Sequence, residues 1–145
     1  MKKIATLLAF IFLPVSFVYA DSIEKFHVDI ELQKDNSAIV TEEIEYHFDS
    51  NFRHGIYREI PDNFKAKGNY LPIDLKLISV TDESGNEYNY TKDTYSGLNV
   101  KIGDPDEYAE IIETYVIKYK VDNVIGFFED NDEFYWNLTG NDLGC

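Results

Sequence analysis

The sequence predicts an all-β fold, an antiparallel β-sandwich of about seven strands with at most short helical turns. Three observations favour this fold class. Apolar and polar residues alternate in several short runs, β-branched and aromatic residues dominate those runs, and turn-forming residues separate them. Aromatic residues make up 15% of the 145 residues. Such a share suits a core of large side chains between two sheets.

The first segment, residues 1–20, predicts a secretory signal peptide. Lys2 and Lys3 precede an apolar run, and small residues end that run just before Asp21. An uncleaved anchor is the alternative, although the run is slightly shorter than a spanning helix requires. Cleavage leaves residues 21–145 as a single extracytoplasmic domain. We therefore expect an exported protein, periplasmic or extracellular.

The next segment predicts a β-hairpin. Apolar residues alternate with polar ones from Phe26 to Gln33, and residues 34–37 then form a turn. A second alternating run extends from Val40 to Phe48, with Glu42 as its exception on the apolar side. A carboxylate at such a position requires a partner. Arg58 is the partner we expect, in a structural ion pair rather than as a catalytic acid.

The middle of the chain predicts further short strands. The stretch from Asp49 to Pro72 is too irregular to assign. Alternation resumes from Ile73 to Ile78, and a turn at Glu83–Asn86 precedes short runs at Tyr88–Tyr90 and Leu98–Ile102. Together these runs suggest a meander.

The last third begins with a helix-start signal that the following residues contradict. Asp104–Glu107 offers an acidic N-cap and a proline at the first helical position. From Ile111 to Val121, however, β-branched and aromatic residues dominate, and one set (Ile111, Tyr115, Ile117, Tyr119 and Val121) alternates with a second (Ile112, Thr114, Val116, Lys118 and Lys120). We expect at most one helical turn and then a long strand. A short turn at Val124–Phe128 and a last strand at Phe134–Leu138 complete the prediction.

The charge of the chain excludes one class of partner. The formal net charge is −14, and it becomes −16 once Lys2 and Lys3 are removed. Such a surface repels nucleic acid and anionic lipid headgroups, so no nucleic acid partner is expected. The acids are scattered, which is typical of a solvated exported domain. Attraction of cations or of a basic partner is the alternative.

Motifs for catalysis and for metal binding are scarce. Cys145 is the only cysteine and the last residue, so an internal disulfide and a Cys/His nucleophile are both excluded. No Gly-x-Ser-x-Gly elbow occurs, and His27, His47 and His54 lack metal-ligand spacing. The acidic run Glu129–Glu133 lacks the glycine and the distant glutamate of a calcium loop. The sequence therefore predicts no catalytic residue, no metal and no cofactor.

The strongest composite motif is Gly55-Ile56-Tyr57-Arg58-Glu59-Ile60-Pro61. Its glycine permits a tight bend, its isoleucines can anchor the segment, and Tyr57 and Arg58 place a ring beside a fork of hydrogen-bond donors. One interpretation is a segment that fastens a crossover onto the sandwich. The other is ligand recognition.

Several motifs in order give the chain a resemblance to a known family. They are Val40-Thr41-Glu42-Glu43-Ile44, the motif that starts at Gly55, Ile102-Gly103-Asp104, Tyr115-Val116-Ile117-Lys118-Tyr119 and Tyr135-Trp136-Asn137-Leu138-Thr139-Gly140. This series resembles the N-terminal extracytoplasmic domain of the bacterial predicted membrane protein family called domain of unknown function 2207. The resemblance implies an exported β-sandwich with transmembrane helices downstream. It implies no catalytic residues, and Gly55, Tyr57, Arg58, Pro61 and Trp136 become candidates for binding or for holding the fold.

The resemblance also implies that the family's domain continues beyond Gly140 into another strand. We therefore expect a truncated chain that lacks its last strand and a C-terminal anchor, or a free version of the domain. The first functional hypothesis is a non-enzymatic binding or interaction domain with a protein or surface-polymer partner. The alternatives are a cell-surface hydrolase that uses paired carboxylates, such as Glu42 or those around Asp130, and a nonfunctional fragment.

Overall fold

The computed structural model describes residues 20–66, 69–127, 129–134 and 136. Residues 1–19, on which the signal peptide prediction depends, lie outside this part. The described chain forms strands joined by turns and loops, and it contains no helix. None of its segments is a helix long and apolar enough to cross a membrane.

A four-stranded antiparallel sheet forms one layer. Its strands, in spatial order, are β1 (Ser22–Leu32), β2 (Ser37–His47), β9 (Ile112–Asp122) and β6 (Asp74–Thr81). The β1–β2 hairpin turns at Asn36, whose φ of 64° is left-handed, and the Gln33 N–H donates to the carbonyl of Ser37 at 2.8 Å. The alternation in the sequence therefore predicted this hairpin correctly.

A three-stranded antiparallel sheet forms the facing layer. Its order is β3 (Ile56–Ile60), β8 (Leu98–Ile102) and β7 (Tyr90–Asp93). Two small hairpins accompany the sheets, β4 (Asn63–Ala66) with β5 (Asn69–Pro72), and β10 (Ile125–Phe127) with β11 (Asp132–Phe134). The all-β antiparallel fold is thus confirmed. The two larger sheets hold seven strands, and the small hairpins bring the described total to eleven.

The core lies between the two larger sheets. One face of each of the strands β2, β8 and β9 is buried, and aromatic and β-branched side chains from both sheets fill the space. The fully buried members include Ile44, Val100, Tyr115, Ile117 and Tyr119. Burial of such side chains contributes about 1.5–3 kcal/mol each to stability. The fold therefore rests on packing between layers.

The suggested meander is wrong in one respect. β7 and β8 are neighbours, but β6 pairs with β9 in the other sheet. Alternation identifies the buried face of a strand and carries little information about its partner, because any two alternating strands can pair. The irregular stretch from Asp49 to Pro72 contains β3, β4 and β5, and β3 belongs to the second sheet.

The last third of the chain follows the prediction at its start and departs from it later. A single turn at Asp104–Glu107 leads to the long strand β9, as predicted. The segment from Val124 to Phe128, predicted as a turn, instead contains β10, which pairs with β11 across an acidic loop. β11 includes only Phe134 of the predicted last strand, and residues 135 and 137–138 lie outside the described part.

Candidate functional site

The motif that starts at Gly55 forms β3, and its residues alternate between two environments. Ile56, Arg58 and Ile60 point into the core, whereas Tyr57 and Glu59 are exposed. Arg58 is only 1% exposed. The motif therefore has a buried face that belongs to the fold and an outer face on which Tyr57 is available for contact.

Arg58 joins the two sheets through a buried ion pair. Its Nε donates to Oε2 of Glu42 at 2.6 Å, and its Nη2 donates to Oε1 at 2.7 Å. Glu42 lies on β2, where the apolar alternation places it in the core, and it is 0% exposed. This bidentate geometry matches both carboxylate oxygens with fixed donors. Arg58 is thus the partner of Glu42 that the sequence predicted.

Neighbouring groups complete this buried polar cluster. The Tyr119 hydroxyl on β9 donates to Oε1 of Glu42 at 2.7 Å, and the Arg58 guanidinium lies 5.7 Å from the ring centroid of Phe26. The ring centroids of Trp136 and Tyr119 are 6.1 Å apart. Arg58 also donates to the carbonyl of Glu59 at 3.0 Å. Strands β1, β2, β3 and β9 therefore meet at one charged pair inside the sandwich.

The cluster is sealed from solvent, and this decides what Glu42 can do. A general acid must lie within hydrogen-bond reach of its substrate. Glu42 has no exposed surface, its Oε1 accepts from Arg58 and Tyr119, and its Oε2 accepts from Arg58. Its geometry is that of a structural pair rather than of a hydrolytic acid.

Two glycines hold the end of β3 against the end of β8. Gly55 has φ of 137° and Gly103 has φ of 127°. A Cβ atom at Gly55 would overlap the carbonyl oxygen of Ile102, and one at Gly103 would overlap the carbonyl oxygen of His54. Only glycine allows both this backbone conformation and this approach. The Gly55 and Gly103 motifs, far apart in the sequence, thus form a single structural joint.

The opposite end of β3 is built in the same way. Gly97, with φ of 110°, lies so close to Ile60 that its Cβ would overlap the Ile60 carbonyl oxygen, and it would lie 3.0 Å from the Cα of Pro61. Pro61 ends the strand, since it offers no N–H to continue the ladder. The motif strand is therefore fixed at both ends by close backbone contacts.

Exposed aromatic rings surround the glycine joint. We call Phe52, His54, Tyr57 and Tyr108 the His54 rim. The Tyr108 ring lies 4.6 Å from the His54 ring and 5.8 Å from the Phe52 ring. Phe52 is 76% exposed, Tyr108 62% and Tyr57 52%. A cluster of rings at such exposure is typical of a contact surface.

His54 is oriented by the loop that follows Gly103. Its Nδ1 lies 2.7 Å from the carbonyl oxygen of Glu107 and 3.1 Å from that of Asp104. Because carbonyl oxygens only accept, Nδ1 carries a proton and donates. The Ala109 N–H adds a bond to the Arg53 carbonyl at 2.8 Å. The segments that carry the His54 rim are thus bonded to each other.

A cavity of about 190 Å³, the His54 cavity, opens beside the rim. Its walls include the rings of His54, Tyr88, Tyr108 and Tyr115. The Tyr88 and Tyr115 rings pack with centroids 5.0 Å apart. Small-molecule sites usually enclose about 300–1,000 Å³. The His54 cavity is therefore of a size for one side chain or one small group.

Carboxylates supply the charge of the His54 cavity. Glu113 accepts from the Tyr88 hydroxyl at 2.5 Å and from the Glu110 N–H at 3.0 Å. Asp104 accepts from the Asn89 side chain at 2.7 Å. Glu87 and Glu107 are exposed lining residues. No lysine or arginine lines the cavity among the residues that the structure describes.

A groove of about 230 Å³ also borders His54. Phe52, Tyr57 and Ile56 supply apolar surface there, and Lys101 lies with its Nζ 5.6 Å from the centroid of the Tyr57 ring. His54 lines both the groove and the cavity. The rim therefore separates an apolar recess from an acidic one.

The other candidate residues do not converge. His27 and His47 face solvent on the four-stranded sheet, each near one carboxylate, and His54 lies at the rim. Asp130 is exposed in the loop between β10 and β11. Within the described ranges, no group of three or more His, Cys, Asp or Glu side chains is placed to hold a metal ion.

Three tyrosines should make the fold sensitive to alkali. Burial, the main cause, raises the pKa of Tyr88, Tyr115 and Tyr119 above the ordinary value of 10.0. Glu113 adds to this shift at Tyr88, and Glu42 adds to it at Tyr119. The unfolded chain then loses these protons first, so stability is full below pH 10.0 and falls above it.

Spectrophotometric titration of tyrosinate together with denaturant unfolding at each pH measures this effect. We expect these three tyrosines to ionise only as the fold opens. Tyr119→Phe should reduce the alkaline loss of stability, whereas the exposed Tyr95→Phe should not. Ionisation of all tyrosines in one step without unfolding would contradict the prediction.

Sequence reasoning identified Glu42, Arg58 and the Gly55 motif, but it missed most of the cavity. Tyr88, Tyr108 and Glu113 come from loops and strands that no local pattern connects. The sequence feature that came closest to locating the cavity was Gly103. It occurs in the Ile102-Gly103-Asp104 motif and directly contacts the Gly55 segment.

Comparison with models of known protein families identifies a family for this chain. The model of the family described as Predicted membrane protein (DUF2207) N-terminal domain matches residues 22–144. No curated protein and no solved structure matches the chain. The family match covers both larger sheets, the buried polar cluster and the His54 rim. The chain therefore belongs to the DUF2207 family of predicted membrane proteins, of which it carries the N-terminal domain.

Proposed function

We propose that the chain is the exported, extracytoplasmic interaction domain of a membrane protein, that it has no enzymatic activity, and that the His54 rim binds its partner. The partner is a protein or a surface polymer. The predicted signal peptide at residues 1–20 and the family of predicted membrane proteins support the location. The domain would therefore be exposed to the periplasm or to the outside.

One observation carries the proposal, the exposure of four neighbouring rings on a firm backbone. Rings offer a large contact area, and few of their torsions must be fixed on binding. The Gly55–Gly103 joint and the bonds of His54 to Asp104 and Glu107 hold the ring-bearing segments together. A binding surface needs this combination of exposed apolar area and fixed geometry.

The buried cluster supports a non-enzymatic role. Glu42 is the acid that the sequence offered most clearly as a catalytic candidate. Its carboxylate is ion-paired with Arg58 and has no exposed surface. The motif residue Arg58 serves the fold, and its neighbour Tyr57 serves the surface. This division matches an interaction domain, in which a filled sandwich presents a contact face.

In-cell photo-crosslinking tests the proposed surface. The full chain is produced in its native cell with a photoreactive phenylalanine analogue in place of Phe52, Tyr57 or Tyr108. We expect a discrete adduct from these positions, and mass analysis then shows whether a peptide or a polymer was captured. Tyr95, which is 98% exposed on the turn between β7 and β8, is the control.

The adduct at Tyr57 should also disappear when Tyr108→Ala is introduced, because both rings belong to one surface. The same adducts from Tyr95 as from Tyr57, or none from the His54 rim, would contradict the proposal.

A further inference from the structure

We propose that the His54 rim docks a basic segment of a protein partner, and that the His54 cavity receives one of its lysine or arginine side chains. This inference rests on the proposed function and names the chemistry of the partner.

The aromatic walls favour a cation. His54, Tyr88, Tyr108 and Tyr115 line a space of about 190 Å³, in which the Tyr108 ring lies beside the His54 ring and the Tyr88 ring packs on the buried Tyr115. A ring face attracts an ammonium or guanidinium group within about 6 Å of its centroid. A volume of this size accepts the end of one long side chain and excludes most larger ligands.

The charge of the lining agrees with the rings. Asp104 and Glu113 are held in place by Asn89 and Tyr88, so two carboxylates already point in defined directions. Glu87 and Glu107 add charge in the exposed part of the lining. An anionic or neutral partner would leave this charge uncompensated, whereas a basic one complements it.

An organic cation fits the site better than a metal ion does. The described acids and histidines form no group of three that is placed to ligate a metal. Instead, aromatic residues line the same space as the Glu113 and Asp104 carboxylates. Ammonium and guanidinium groups bind such mixed surfaces by hydrogen bonds and by contact with ring faces.

The apolar groove beyond His54 extends the surface in the same direction. Phe52 and Tyr57 line it, and Arg53 and Lys101 border it. A segment that places a basic side chain in the cavity would lay its next residues across the rim. The groove therefore adds apolar contact for the residues next to the basic one.

Calorimetric titration of the full chain with two peptides tests this inference. Hexalysine carries the positive charge, and hexalysine acetylated on every side chain has the same length without it. We expect hexalysine to bind at least about tenfold more tightly than its acetylated form. A hexaarginine titration shows which cation is preferred.

Matched variants separate the site from general attraction to an acidic protein. Tyr108→Ala should weaken hexalysine binding by about two- to fivefold, and Glu107→Gln by about threefold. Tyr95→Ala and Glu31→Gln remove the same groups from exposed positions elsewhere. These controls should change the Kd by less than about 1.5-fold.

Equal losses in the rim variants and in the controls would overturn the inference, because they would show nonspecific attraction. Equal binding of the two peptides would overturn it as well. In either case, crosslinks from Tyr57 that depend on Tyr108 would leave the proposed function standing with a partner of other chemistry. Absence of those crosslinks would remove the proposed function itself.

Discussion

Replacing Arg58 by leucine is expected to lower the free energy of unfolding by about 3–5 kcal/mol. The substitution leaves the Glu42 carboxylate in the core with the Tyr119 hydroxyl as its remaining donor partner. A buried charge without its counterion is strongly destabilising, because the interior solvates it poorly. Denaturant unfolding of the purified chain measures the loss.

The neighbouring residue offers a matched control. Glu43 lies on the same strand, faces outward and pairs with exposed Lys25. Glu43→Gln should change stability by less than about 1 kcal/mol, whereas Glu42→Gln should cause a loss close to that of Arg58→Leu. Arg58→Lys keeps the positive charge but loses the guanidinium group that bonds both oxygens of Glu42. It should therefore lower the free energy of unfolding by less than Arg58→Leu does. The same small effect for Glu42→Gln and Glu43→Gln would contradict the role of the buried pair.

The double variant Glu42→Leu with Arg58→Leu should be more stable than either single variant. Each single variant leaves one buried charge without its counterion, whereas the double variant leaves none. The two leucine side chains also fill part of the volume that the ion pair occupied. A double-mutant cycle therefore should give a large coupling energy. Additive losses from the two substitutions would mean that the residues act independently.

Replacing Gly103 by alanine is the second change with a large expected effect, a loss of more than about 3 kcal/mol in the free energy of unfolding. Its φ of 127° is a conformation that side chains rarely adopt, and the added Cβ would overlap the carbonyl oxygen of His54. That oxygen belongs to the backbone, so relief requires movement of a whole segment. Gly55→Ala should have a similar effect.

Gly85→Ala separates the two causes. Gly85 also has a positive φ, 87°, but a Cβ there would meet no atom within 4 Å. We expect it to cost about 1–2 kcal/mol, the cost of the backbone conformation alone. The excess at Gly103 then measures the close approach. Equal losses at Gly85 and Gly103 would show that the joint yields easily.

The fold was predictable where alternation is regular. Apolar residues recur at every second position in β8, in β9 from Tyr115 to Val121, and in β2 except at Glu42, and that exception marked the buried pair. Strand β3 was not predicted because its middle inward residue is Arg58. A strand of only five residues then shows polar residues on both faces. The pairing of β6 with β9 was not predicted because strand pairing depends on the packing of whole sheets.

The candidate site was less predictable than the fold. Tyr57 was identified because it lies inside a motif, and Glu42 because it breaks a pattern. Tyr108 and Tyr88 lie in loop segments, where polar and aromatic residues carry no periodic signal. Only the three-dimensional approach of the Gly55 and Gly103 segments brings these rings to one surface.

The glycine joint has a further consequence for the energetics of association. Loops that become ordered on binding lose conformational entropy, and each immobilised side chain adds about 0.5–1.5 kcal/mol to that penalty. At the His54 rim the backbone on both sides of Gly55 and Gly103 is already fixed. Most of the ordering has therefore taken place during folding, and the surface is preorganised for its partner.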